Sequence, residues 1–109
     1  MADYLLVTTV VADRETAARL AGSAVRARLA ACAQVHGPVL SFFWHLGELS
    51  EGEEWQVTLK TTAARYDELE KHLISAHTWD NPEVTAIPLI AGSGPYLHWL
   101  DTSTEKSEP

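Results

Sequence analysis

From Tyr4 to Val11 the chain is apolar or β-branched on both alternating faces, the pattern of a strand at the centre of a sheet. Asp13 then offers a helix N-cap, with Glu15 in the first turn facing the positive end of the helix dipole. On a 3.6-residue period Ala17, Leu20, Ala21, Ala24, Ala27 and Ala31 share one face, while Glu15, Arg19, Ser23 and Arg26 share the other. A helix lying on a sheet is predicted, its alanines allowing close approach. Arg28 falls inside the apolar face and has to snorkel or find a carboxylate.

Ala33-Gln34-Val35 resumes extended structure and Gly37-Pro38 interrupts it. Val39 to Leu49 reads as a long strand with Leu40, Phe42, Trp44 and Leu46 on one side and Phe43 and His45 on the other. The acidic stretch Ser50 to Glu54 reads as a hairpin turn with Gly52 at its tip. Trp55, Val57, Leu59 and Thr61 then alternate with Gln56, Thr58 and Lys60 along the returning strand. Ala63 to Ala76 is the second predicted helix. Its stripe of Tyr66, Leu69 and Leu73 reaches His77 at the next step, which turns that ring inward. Pro82 pushes Asn81 out of the α region, and Glu83 opens the last main strand, Val84 to Ile90, where Pro88 suits an edge or a bulge. After Gly92-Ser93-Gly94-Pro95, Tyr96 to Leu100 forms a short helical turn, and the polar tail from Asp101 to Pro109 is expected to be disordered.

The order strand, helix, strand, strand, helix, strand predicts an α+β domain over residues 1–100. Its architecture is the split βαβ, or ferredoxin-like, antiparallel sheet with both helices on one face and a short C-terminal element. The other face is left bare although the first strands are apolar on both sides. A soluble monomer avoids such an area, so a closed homo-oligomer is expected.

At 109 residues only one domain fits, and 8 basic against 15 acidic residues give a net charge of −7. Without a Lys/Arg cluster, a nucleic-acid backbone is not the expected partner. No long apolar run or leader pattern precedes the first strand, and the single cysteine, Cys32, fits a reducing compartment. A cytoplasmic protein without membrane contact is expected.

Arg28-Leu29-Ala30-Ala31-Cys32, Lys60-Thr61, Pro82-Glu83 and Tyr96-Leu97-His98-Trp99 follow one another as four landmarks along nearly the whole chain. In these the sequence resembles the CutA divalent-cation tolerance proteins. The resemblance implies a ferredoxin-like homotrimer whose long hairpins pair across subunits. It also implies a part in the response to divalent metal ions, copper foremost, and a kinship in shape with the trimeric PII signalling proteins. The block ending at Pro82-Glu83 departs from the family pattern at Thr78, Trp79, Asp80 and Asn81 while keeping His77. Phe43 and His45 stand where the family has tyrosine and tryptophan, so one hydroxyl is lost there too.

His77, Asp80, Glu83 and Cys32 supply one imidazole, two carboxylates and one thiolate, a donor set suited to copper or zinc. Against this, Cys32 also reads as a small buried apolar residue, and His77 as an imidazole at the core edge. Trp79, Lys60 and Arg28 are candidates for the wall of an intersubunit cleft. Lys60 either holds an anion or pairs with Glu83, and Arg28 reaches the same carboxylates. Phe42, Phe43, Trp44, His45 and Trp55 are the expected trimer interface, with aromatic anchors in place of charges. No Ser/His/Asp set, glycine-rich phosphate loop or acid/base pair stands out, so no enzymatic activity is expected. The two main readings are a metal-binding tolerance protein and a PII-like module that takes a small anionic metabolite. A purely structural trimer is the third.

Overall fold

The computed structural model describes residues 3–106. β1 (Tyr4–Val11) leads through the N-cap Asp13 into α1 (Arg14–Arg26). The Asp13 carboxylate accepts the Thr16 N–H at 2.8 Å, and that bond holds it below the usual carboxylate range. β2 (Cys32–His45) and β3 (Glu48–Thr62) form a long hairpin, a 3₁₀ turn (Ala63–Arg65) enters α2 (Tyr66–Ala76), and β4 (Thr85–Pro88) and α3 (Gly94–Ser103) complete the chain. All strands pair antiparallel in the order β2-β3-β1-β4, the ferredoxin-like arrangement expected from the element order.

The core lies between the sheet and the first two helices. Val7, Val11, Val57 and Leu59 meet Leu20 and Ala24 of α1 and Leu69 and Leu73 of α2, all of them fully buried. In the ladders Val7 stands opposite Leu59, and Leu59 opposite Ala33, so one alternation carries this face. The other alternation, with Tyr4, Leu6, Cys32, Thr58 and Lys60, lines the face that α1 and α2 leave uncovered.

The last strand is shorter than the expected Val84 to Ile90, and α2 starts after the 3₁₀ turn and not at Ala63. Four larger differences from the sequence reading each have a local reason. The hairpin turns at Leu46-Gly47, not at the acidic stretch. Both residues take left-handed backbone, φ 52° and 79°, as a two-residue type I′ turn requires. The stretch 50–54 therefore lies within β3, with Glu51 opposite Phe42 and Glu53 opposite Leu40. Gly37-Pro38 does not divide β2 but sits in a bulge between His36 and Val39. Arg28 leaves the helix face altogether: α1 ends at Arg26, and Arg28 is the left-handed residue, φ 60°, of a Schellman cap. In that cap the Leu29 N–H reaches the Ala24 carbonyl and the Arg28 N–H the Val25 carbonyl, both at 3.0 Å.

The fourth difference is at the C-terminus. α3 runs on to Ser103, past the expected boundary at Leu100, because that leucine is fully buried and the Thr104 hydroxyl caps its carbonyl at 2.8 Å. Tyr4 donates its hydroxyl to Asp101 at 2.8 Å, which ties the same helix to the start of the sheet. The last three residues of the expected tail, 107–109, lie outside the described residues.

The bulge makes Gly37 necessary. A Cβ there would come within 2.6 Å of the Trp55 ring, and Trp55 itself packs against the core. Gly37→Ala is therefore expected to displace the indole and cost about 1–3 kcal/mol, the usual range for overpacking. A chemical denaturation midpoint unchanged from the parent would contradict that packing.

Candidate functional site

Two separate groups of side chains hold the residues singled out from sequence. The first is the loop after α2. There His77 has its ring turned inward, as its place on the stripe requires, and is half-buried. Its Nδ1 accepts the Trp79 backbone N–H at 3.0 Å, so the ring proton sits on Nε2, which donates to the Val10 carbonyl at 2.7 Å. The Trp79 indole tilts over the imidazole with centroids 5.0 Å apart. Both ring nitrogens are thus engaged in holding the loop to β1. Asp80 and Glu83 are exposed, and Glu83 accepts the Thr85 hydroxyl at 2.8 Å.

The second group stands at the other end of the sheet. The Ala31 N–H bonds the Lys60 carbonyl at 2.9 Å, and the buried Thr61 hydroxyl donates to the Leu29 carbonyl at 2.7 Å, so the chain leaving α1 is registered onto β3. That registry sets Cys32 directly opposite Lys60 in the ladder. Tyr96, on the first turn of α3, brings its hydroxyl to 3.8 Å from the Cys32 sulfur. Burial, and after it the contact with Cys32, raise the Tyr96 phenol above its ordinary value, while Lys60 pulls it the other way. Thiol, ammonium and phenol therefore converge where β2, β3 and α3 meet.

The expected donor set is not gathered in one chain. Cys32 lies at the far end of the sheet from His77, Asp80 and Glu83. Among the described residues no three His, Cys, Asp or Glu side chains come together as a metal site. Cys32 is free and half-buried, not the fully buried apolar residue that its place after an alanine-rich helix suggested. The expected Lys60–Glu83 pair does not form: Lys60 is on β3, β1 stands between that strand and β4, and Glu83 turns to Thr85 instead. Arg28, displaced by the cap, donates to the Ser103 carbonyl at 3.3 Å and meets no carboxylate among the described residues. The cleft candidates are also dispersed within one chain, with Trp79 in the His77 loop, Lys60 beside Cys32, and Arg28 at the end of α3. Tyr96 was not singled out as a site residue. Its only mark in the sequence is membership of the Tyr96-Leu97-His98-Trp99 landmark.

The hairpin completes the geometry. Leu40, Phe42 and Trp44 project from one side of β2 at 63%, 62% and 75% exposure, with Leu49 opposite Trp44. Phe43 and His45 point to the other side, and His45 faces Glu48 across the turn. Trp55 stands nearer the helices and is half-buried against the core within its own chain.

A long-hairpin ferredoxin-like sheet with a third helix across one end defines a class of small α+β proteins. The chain belongs within it to the CutA1 divalent ion tolerance protein family, whose model matches residues 5–103. A rice relative, "Protein CutA 1, chloroplastic" from Oryza sativa, is 35% identical over 103 residues, covering 94% of this chain. The chain spans 58% of that relative's length. The crystal structure of CutA1 from Oryza sativa superposes with a TM-score of 0.92 at 34% identity, covering 97% of each chain. The periplasmic divalent cation tolerance protein CutA from Archaeoglobus fulgidus gives 0.90 at 27% identity, covering 94% of this chain and 99% of its own. Among the described residues no helix is long and apolar enough to cross a membrane.

Proposed function

We propose that the protein serves divalent-cation tolerance as a homotrimer with no enzymatic activity, and that it does so as a PII-like binding module for a small anionic ligand. The observation that carries this reading is Lys60. Its ammonium stands on the open face of the sheet beside Cys32 and Tyr96 and forms no ion pair among the described residues. A cation left free next to a hydroxyl donor suits a carboxylate or phosphate. Trimer formation is supported by the bare hairpin, whose Leu40, Phe42 and Trp44 form an apolar surface of the kind that a second copy covers. The net charge of −7 and the unpaired cysteine support a cytoplasmic protein without nucleic-acid or membrane partners.

Copper held by His77 with Asp80 and Glu83 is the competing reading, and Cys32 would join it only from a neighbouring subunit. With Nε2 donating to the Val10 carbonyl, a metal would enter at Nδ1 and displace the Trp79 N–H that fixes the loop. Calorimetric titration of the purified protein with copper(II), zinc and citrate separates the two. Citrate should bind, His77→Ala should leave its affinity unchanged, and Lys60→Met should weaken it about tenfold or more. Tight copper binding that His77→Ala abolishes, with no citrate bound, would overturn the proposal in favour of a metal centre.

A further inference from the structure

Beside the Lys60 group a shallow apolar groove of about 360 Å³ runs along the edge of β2, lined by Ala21, Gly22 and Val25 of α1, by Cys32 and Ala33, and by Trp99 of α3. The Trp99 indole leans on the Tyr96 ring, centroids 5.4 Å apart, and remains 41% exposed. Tyr96 reaches Cys32 and Lys60 while Trp99, one turn on, walls the groove. The two rings therefore join an apolar trough to a cationic patch, and Cys32 lies on both. Small residues on the helix side leave the trough open. At Gly22 the nearest atom to an added Cβ would be the Arg26 guanidinium at 3.9 Å.

We infer that the ligand of this site carries a flat aromatic ring as well as its negative charge. This inference rests on the anion reading of Lys60 and extends it. An indole with an exposed face offers a ring a stacking surface, the alanines and Gly22 admit its thickness, and Lys60 takes the charge at the end of the trough. The volume is within the range of small-ligand sites. An aromatic carboxylate and a nucleoside monophosphate share this chemistry.

The test is calorimetry on the intact protein with indole-3-carboxylate, adenosine monophosphate and citrate in parallel. Gly22→Leu fills the trough without touching Lys60 and replaces a poor helix former with a good one, so the fold is retained. It should weaken whichever aromatic anion binds by about tenfold, the scale of one stacking contact, and leave citrate unchanged. Trp99→Ala should do the same, and Lys60→Met should weaken all three. Preference for the carboxylate or for the phosphate identifies the anionic group. Equal binding of citrate and the aromatic anions, unaffected by Gly22→Leu, would overturn the ring while leaving the anion site standing. Failure of all three probes to bind would remove both.

Discussion

Trp44→Ala is expected to lower the thermal midpoint sharply and to make it more dependent on protein concentration. In one chain the indole is 75% exposed, and truncating such a residue ordinarily changes stability by no more than about 0.5 kcal/mol. In the proposed homotrimer a neighbouring copy covers the hairpin, and loss of a large aromatic from a core-like interface costs about 3–5 kcal/mol. Folding and association are then coupled, so dilution lowers the melting temperature further. The size of the effect thus reports whether the hairpin is covered. Melting curves recorded at several concentrations that match the parent's would show that Trp44 stays in solvent.

Leu59→Ala is expected to cost about 2–5 kcal/mol for a different reason. Leu59 is fully buried in β3, between Val7 on one neighbouring strand and Ala33 on the other, under the two helices. The cavity it leaves lies inside a single chain and cannot be refilled by assembly. Its cost should appear as a lower denaturant midpoint with little change in slope. A loss below about 1 kcal/mol would mean that the helices collapse onto the vacated space, contrary to the close packing of Ala17, Ala21 and Ala24 on the sheet.

Where periodicity decides, the sequence was a sufficient guide. The two-faced apolar run Tyr4 to Val11 is indeed an interior strand, Asp13 caps its helix, and Leu40, Phe42 and Trp44 share one side of β2. His77 points inward because it continues the stripe of Leu69 and Leu73. What periodicity does not carry is the identity of hydrogen-bond partners. Nothing in the spacing of His77 shows that its nitrogens go to Val10, sixty-seven positions away, and to its own loop. Arg28 shows a second kind of limit. Its position on the helical wheel is apolar, but a left-handed cap ends the wheel two residues earlier. Gly52 in an acidic run resembled a turn more than Leu46-Gly47 did, since leucine is an unusual choice for left-handed backbone and costs about 1–2 kcal/mol there. The convergence of Tyr96 on Cys32, 64 positions away, and on Lys60 is a tertiary event, invisible until α3 is laid across the sheet.

The stability of the fold depends above all on the uncovered hairpin belonging to an assembly. Multi-angle light scattering on the purified protein at micromolar concentration measures this directly. The expected mass is three times the 12.0 kDa of one chain, unchanged by added salt because the contact is apolar. A single species of 12.0 kDa across that concentration range would contradict the homotrimer and leave Leu40, Phe42 and Trp44 without a partner.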